Sequence, residues 1–573
     1  MPPAAPVAAG PAAGLPARIP VLEWLRSYDR AWLGADVVAG LTAAAVVVPQ
    51  AMAYATIAGM PVQVGLYTAL VPALVYALVG GSRALSVSST STIAILTAAA
   101  LQQAAPDASP DRLLVAVATL SVLVGALLVA AAILRLGFVA NFVSEPVLGG
   151  FKAAIGVVLV VDQLPKLLGV SIERSGFLRK LVHLLEALPR SSLPTVVVSL
   201  SLAALILALR RWAPKAPAPL VAIAAAIAAS VALGLPAAGV KAIGAVPGGL
   251  PAPIRPDLGL LETLWPAAVG IALMSFTETV AAGRAFALPG EPRLSPNREL
   301  LATGLACAAG GIVGALPAGG GTSQTAVNRR SGARSQLAGL VVGLAALAVV
   351  LALGPALARM PQATLAVIVV LNSVGLVSLK DFRAVAAVRR TELVWAVAAF
   401  AGVVLLGTLR GIEVAVIVSI VSLAYQAQNP SVYELRRKPG TNVFRRRAAE
   451  HPEDEAEPGL LLVRVEGRIY FGNAQRVLDL LTPIAVAASP RVIVLDCSAI
   501  FDLEYSALKM LAEAEERVRE RGAELWLAAL NPGVRAVVER SPLGRALGRE
   551  RMCFHVEDAV GRFRSRPLAR EGA

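Results

Sequence analysis

Two short segments concentrate glycine, serine and threonine within otherwise apolar sequence. The first is Leu85-Ser86-Val87-Ser88-Ser89-Thr90-Ser91-Thr92, and the second is Pro317-Ala318-Gly319-Gly320-Gly321-Thr322-Ser323-Gln324-Thr325. Each begins with residues that break or cap a helix and then becomes helical. A helix that starts inside a membrane leaves its first N–H groups unpaired and carries about half a positive charge at that end. Two such ends facing each other form an anion site with no formal cation. Ser88, Ser89, Thr322 and Ser323 can cap those ends or donate hydroxyls to an oxyanion. The competing reading is a Gly/Ser-rich loop or close helix packing through small residues. It holds its own for either segment alone and is the poorer account of the pair.

Three further polar residues fall within apolar runs. Gln50 follows Pro49, with Tyr54 one turn later. Gln50 can hydrogen-bond a substrate or join two helices. Glu278 lies deep in an apolar run, in Ser275-Phe276-Thr277-Glu278-Thr279. A carboxylate there is costly and suits a group that takes up a proton or faces a cation during transport. The alternative is a helix-end carboxylate paired with Arg284. Glu145, Lys152 and Asp162 read as interface or gating contacts, and Asn297-Arg298-Glu299 as a capping segment.

The elements that must hold these residues follow from composition. The chain has 573 residues, 56% hydrophobic and 16% charged. A soluble globular chain is nearer 25% charged, so a soluble enzyme, a disordered scaffold and a coiled-coil rod are excluded for the whole chain. Three cysteines and three histidines leave no disulfide framework and no Cys/His metal cluster. Of 52 Lys+Arg and 38 Asp+Glu, 23 and 21 lie in 431–573. A membrane domain over 21–430 is therefore followed by a charged linker over 431–458 and a soluble domain over 459–566. Residues 1–20, rich in Pro, Ala and Gly, read as a disordered tail.

Apolar runs predict spans near 37–57, 62–80, 90–103, 112–135, 143–163, 193–210, 218–235, 262–282, 298–315, 322–331, 336–357, 362–378, 391–408 and 412–428. The short third and tenth contain the two Gly/Ser/Thr segments. If the fourteen form two seven-span halves, these are the third spans of each half. Paired interrupted spans in matching positions point to a transporter's central site. Basic residues gather in alternate loops, so the positive-inside rule places both termini in the cytoplasm. The net charge of +14 is thereby assigned to cytoplasmic loops and not to nucleic acid.

Several pieces in order resemble the SulP family of anion permeases. They are Pro49-Gln50-Ala51-Met52-Ala53-Tyr54-Ala55; Gly65-Leu66-Tyr67-Thr68 with Pro72 and Gly80 to Ser86; Asn297-Arg298-Glu299-Leu300; and Gly320 to Asn328. The resemblance implies a polytopic α-helical membrane protein of about fourteen spans in two inverted seven-span repeats. A core domain (spans 1–4 and 8–11) would move like an elevator against a gate domain (spans 5–7 and 12–14), commonly in a homodimer. It implies substrate contacts at Gln50, Tyr54, Ser88, Ser89, Gly321, Thr322, Ser323 and Gln324, with Glu278 as the ion-coupling group, and no cofactor beyond a coupling H+ or Na+. Two positions depart from the family pattern. Ser88-Ser89 stands where many relatives have Gly-Pro, and Ser323-Gln324 where many have Ser-Arg. Without that arginine, anion binding rests on the helix ends, and sulfate, bicarbonate, chloride and dicarboxylates all stay open.

After the basic clusters Arg436-Arg437-Lys438 and Arg445-Arg446-Arg447 and the acidic stretch Glu453 to Glu457, a β/α pattern begins. Residues 460–465 and 492–496 predict strands, and 505–520 and 532–540 predict helices. Ile469-Tyr470-Phe471-Gly472-Asn473-Ala474 and Asp496 to Leu508 resemble a cytosolic α/β STAS domain. That resemblance puts Ser506 where related bacterial domains carry a phosphorylated residue; a plain helix-start serine is the other reading.

The expected function is secondary active transport of an inorganic or organic anion, of sulfate or bicarbonate type, by proton- or sodium-coupled symport. An exchanger or channel-like mode is a variant. The expected location is the bacterial plasma membrane. The alternative is a membrane-anchored regulator that signals through a STAS partner. No nucleophile–base pair or metal-ligand set supports an enzyme, and no G-x-x-x-x-G-K-[ST] supports ATP drive.

Overall fold

The structure is a computed structural model. It describes residues 28–105, 108–141, 144–172, 176–214, 216–244, 249–288, 291 and 293–566, together with 21 and 25. The tail expected over 1–20 lies outside the described residues. The chain divides into two compact units, Met1–Ser419 and Ile420–Ala573.

The first unit is helical. Its helices are α1 (Leu33–Ile57), α2 (Val62–Val79), α3 (Ser91–Ala104), α4 (Pro110–Ile133), α5 (Glu145–Leu168), α6 (Phe177–Ala187), α7 (Leu193–Trp212), α8 (Ala218–Ala232), α9 (Leu261–Ala285), α10 (Pro296–Ile312), α11 (Thr322–Arg330), α12 (Leu337–Ala352), α13 (Gly354–Ala358), α14 (Gln362–Ser373), α15 (Leu379–Val388), α16 (Arg390–Leu406) and α17 (Thr408–Gln428). A helix occupies each of the fourteen expected positions. Among the described residues, eight helical stretches are long and apolar enough to cross a membrane, and α8 and α12 are shorter apolar helices. The helix α6 was not expected. It is amphipathic, exposing Leu178, Leu181, Val182 and Leu185, and has no long apolar run, the signal on which span assignment rests. Its Lys180 pairs at 2.5 Å with Asp162 of α5.

Helices expected in the core pack together. The helix α10 lies against α4 and α2, and α12 against α1 and α2, whereas α5 packs with α14 and α16 of the expected gate. The signature Gly65 serves this packing. A Cβ there would lie 2.1 Å from the Ala51 carbonyl oxygen, so only glycine lets α2 meet the backbone of α1. Thr68, one turn on, accepts a hydrogen bond from the Leu316 N–H at 2.9 Å.

The two interrupted segments pair with each other. Strand β1 (Val87–Ser88) runs antiparallel to β2 (Gly319–Gly320), with Val87 opposite Gly320 and Ser88 opposite Gly319. Because the strands are antiparallel, α3 and α11 leave the ladder from opposite ends, and both N-termini face back toward it. Side chains bind much of the remaining backbone. Ser275 donates to the Ala318 carbonyl at 2.6 Å, and the Gly320 N–H donates to Thr279 at 2.8 Å. The Gly321 N–H donates to the Ser86 carbonyl at 3.0 Å, and the Ser86 N–H to Thr325 at 3.1 Å. Asn328 donates to the Ala84 carbonyl at 3.0 Å. Gln336 donates to those of Ser82 and Leu85 at 2.7 and 3.0 Å. Gly320 is required where the ladder crosses α9: a Cβ would lie 2.7 Å from the Thr279 Cα.

The second unit is a six-stranded sheet of order β4-β3-β5-β6-β7-β8. Its strands are β3 (Ser431–Arg437), β4 (Phe444–Arg446), β5 (Leu460–Glu466), β6 (Val492–Asp496), β7 (Glu524–Ala528) and β8 (Met552–Cys553). Strands β5 to β8 are parallel, and β3 is antiparallel to β4 and β5. Helices α18 (Ala474–Ala488), α19 (Tyr505–Glu520), α20 (Pro532–Glu539), α21 (Pro542–Leu547) and α22 (Val556–Arg564) complete it. Val465, Leu495 and Leu527 pack with Leu508 and Leu511 of α19, whereas Leu462, Val494 and Trp526 pack with Ala559 and Val560 of α22. The sheet is thus covered on both faces, as parallel strands require.

The expected linker over 431–458 is corrected: its first part is two strands of this sheet. Its charges resembled a solvated linker, but they pair across the sheet edge. Arg445 binds Glu453 and Asp454, Glu434 binds Arg436 and Arg447, and Arg437 binds Glu557. The Arg445 guanidinium holds the buried Asp454 carboxyl below its usual range. The unit boundary, expected near 430, falls within α17.

Two outcomes test this architecture. Gly320→Val forces the ladder off α9 and is expected to cost at least about 2 kcal/mol, read as a lower melting temperature of the purified full-length protein. A soluble fragment 429–566 is expected to unfold cooperatively. Fragment 459–566 lacks β3 and the buried Leu435 and is expected to be less stable by at least about 2 kcal/mol, measured by urea unfolding.

Candidate functional site

The ladder places two helix starts around one region. At α3, Thr90 is the N-cap, and its hydroxyl accepts from the Ile93 N–H at 3.3 Å. At α11, Gly321 is the N-cap and no side chain caps the first turn. Thr322 and Ser323 are exposed on that turn, whereas Gln324 is buried. The Gln324 amide donates to the Ser89 carbonyl at 3.4 Å, joining the two segments.

Polar atoms here divide into two sets. Ser275, Thr279, Thr325 and Asn328 are committed to backbone groups of the interrupted segments. Ser88 Oγ, Ser89 Oγ, Gln50 Oε1 and Gln324 Oε1 are buried without a protein partner. An unpaired buried polar group is costly, and these four belong to residues expected to contact substrate. Gln50 lies on α1, which packs against both α3 and α11. Tyr54, also buried, is placed against Ser91 in the first turn of α3 and within electrostatic reach of Glu278.

Glu278 is held from two sides. The Thr90 hydroxyl donates to its Oε2 at 2.8 Å. Its Oε1 lies 3.7 Å from the Lys152 ammonium on α5. The charged contact at Glu278 thus comes from another helix, where the alternative reading looked to Arg284 on its own. One carboxylate thus touches the N-cap of α3 and a cation on α5. At Gly321 an added Cβ would meet the flexible Gln324 side chain at 2.8 Å.

Sequence reasoning missed several residues that hold the site. Asp36 is fully buried at the start of α1 and accepts from the Arg334 and Ser335 N–H groups and the Ser335 hydroxyl at 2.7, 3.1 and 2.6 Å. The hydroxyl of Tyr76 donates to the buried Glu299 at 2.6 Å, and Asn297 accepts from the Gly137 N–H at 2.7 Å. The segment expected to cap a helix therefore joins α10 to α2 and to the loop after α4. The available signal was a carboxylate in or beside an apolar run, as at Glu278. In the second unit, Ser506 is exposed in the first turn of α19, beside the exposed Phe501 and Tyr505.

A cavity of about 1220 Å³ lies apart from the ladder residues. It is lined by residues at the ends of α1, α3 and α5 and by the cations Lys166, Lys180, Lys241 and Arg410.

Comparison with known proteins agrees with this geometry. The Sulfate permease family profile matches residues 33–399, and the STAS domain profile matches 451–559. The chain is 35% identical over 554 residues to "Probable sulfate transporter MT1781" of Mycobacterium tuberculosis, covering 96% of this chain and 98% of that protein. It is 31% identical over 546 residues to human "Solute carrier family 26 member 6", covering 91% and 72%. The fold matches murine Solute Carrier 26 family member A9, an anion transporter captured in the inward-facing state, with a TM-score of 0.87 at 21% identity over 96% of this chain and 94% of that one. It also matches the transmembrane domain of the cyanobacterial bicarbonate transporter BicA, with a TM-score of 0.60 at 24% identity over 68% and 97%. With its paired interrupted helices, buried carboxylate and C-terminal sheet domain, the chain belongs to the sulfate permease family of integral membrane anion transporters and carries a STAS domain.

Proposed function

We propose that the protein is a secondary active transporter of a small oxyanion, sulfate or bicarbonate, with Glu278 coupling transport to a proton. The observation that carries this reading is the pair of unpartnered buried hydroxyls on Ser88 and Ser89 beside two helix N-termini and one carboxylate. Helix starts and hydroxyls donate to an oxyanion, and Glu278 adds a site for a cation next to it. A proton suits this place better than sodium, because the described neighbours of Glu278 include the Lys152 ammonium. In this reading Thr322 and Ser323 are the accessible donors, and the Lys- and Arg-lined cavity draws anions in.

The helix packing fits a core group sliding against a gate group that contains α5, in an elevator cycle within a homodimer. Both termini would face the cytoplasm of a bacterial cell. The exposed Phe471, Phe501 and Tyr505 of the second unit, with Ser506 among them, favour a protein partner at that edge, which would make the STAS domain a regulator of transport.

Proteoliposome uptake tests the reading. Labelled sulfate and bicarbonate are compared under separate proton and sodium gradients, and accumulation of one of them under the proton gradient is expected. Glu278→Gln is expected to lower gradient-driven accumulation at least tenfold with unchanged melting behaviour; wild-type accumulation by that variant would refute its role. Ser89→Ala is expected to weaken anion binding about tenfold or more, the loss of one hydrogen bond to a charged group. Unchanged affinity in both Ser89→Ala and Gln50→Ala would move the site elsewhere.

A further inference from the structure

Lys152 lies in the first part of α5, a helix that packs mainly with α14 and α16 and also touches α3. Its side chain is 25% exposed, and its ammonium stands 3.7 Å from Glu278 Oε1. That separation exceeds an N–H···O hydrogen bond, so the contact is charge against charge. It leaves the three N–H donors of the ammonium unspent among the described residues. The other oxygen of Glu278 is bound by Thr90, the N-cap of α3. The ammonium is therefore one carboxylate away from the start of α3, and Ser89 with its unpartnered hydroxyl directly precedes that N-cap.

The short helix α11 supplies no such charge. Its first turn reads Thr322-Ser323-Gln324, and the Gln324 amide is turned to the Ser89 carbonyl. A cation that adds to the helix ends would come from outside that turn, and among the described residues Lys152 stands within ion-pair reach of the site carboxylate.

We propose that Lys152 is an anion ligand reaching the site from α5, and that Glu278 and the transported anion compete for its ammonium. This rests on the anion-transport reading above. Charge accounting gives the competition a direction. Two helix N-termini contribute about half a positive charge each, and Lys152 adds one. With Glu278 ionised the site carries about one net positive charge, which suits a monoanion. With Glu278 protonated it carries about two, which suits a dianion. Among the described residues, the titratable groups facing Glu278 include Lys152 from α5 and Tyr54 from α1, and Thr90 of α3 is its uncharged donor. Protonation of Glu278 thus releases Lys152 to the anion, so a dianion enters together with a proton. Because α5 packs mainly with α14 and α16, the Lys152 contact also ties anion affinity to the relative position of the two helix groups.

The test is sulfate binding to the purified full-length protein by titration calorimetry. It compares wild type, Lys152→Met, Lys152→Arg, Glu278→Gln and the double variant Lys152→Met/Glu278→Gln, each checked for wild-type melting. Lys152→Met is expected to weaken sulfate binding at least tenfold and Lys152→Arg by no more than about threefold. Glu278→Gln is expected to tighten sulfate binding at least about tenfold over wild type, and the double variant to lose that gain. Wild-type affinity in Lys152→Met, or an undiminished gain in the double variant, overturns the assignment and leaves the transport reading standing. Absence of binding and of uptake for both sulfate and bicarbonate in the wild-type protein overturns the transport reading, and the assignment with it.

Discussion

Backbone that leaves the helix at membrane depth has no water to bind, so each of its N–H and C=O groups needs a partner within the protein. The central region is organised around that constraint. Strands β1 and β2 satisfy part of it by pairing with each other. Hydroxyls and amides from α9, α11 and the start of α12 satisfy much of the rest through Ser275, Thr279, Thr325, Asn328 and Gln336. Glycine at 320 is the steric counterpart, since the ladder must lie against the backbone of α9 for Thr279 to reach it.

Once the ladder is fixed, so are the ends of α3 and α11, and the chemistry follows from what is left over. Polar atoms already committed to backbone cannot also bind a substrate. Gln50 Oε1, Ser88 Oγ, Ser89 Oγ and Gln324 Oε1 are not committed to protein and stand beside the helix starts. Glu278 links the two sets. One oxygen belongs to the cap of α3, and the other faces a cation on α5. A charge change at that carboxylate therefore acts on the helix end and on the contact between helix groups together.

The second unit obeys a different rule. Water is available there, and its charged residues are used in pairs. The Arg445–Asp454 and Arg464–Asp496 contacts, both at 2.7 Å, fasten side chains along the sheet. A segment that looks like a solvated linker thereby becomes the sheet's antiparallel edge.

Sequence alone determined the membrane class, the positions of the fourteen helices and the two interruptions, because length, apolar runs and Gly/Ser/Thr breaks are local signals. It also singled out Gln50, Tyr54 and Glu278, since a polar side chain in an apolar run is visible without a fold. It missed α6, whose apolar residues recur with the helical period instead of in a run, and β3 with β4, whose charges find partners only across a sheet. Tertiary structure decided which residues meet. Positions 88 and 319, or 152 and 278, are brought together by packing over separations of more than a hundred residues, and no local pattern records such a contact. For Glu278 the sequence offered a partner only on its own helix, Arg284, and Lys152 read as an interface or gating contact. Helix packing chose Lys152, because it sets α5 beside the start of α3 and the carboxylate of α9.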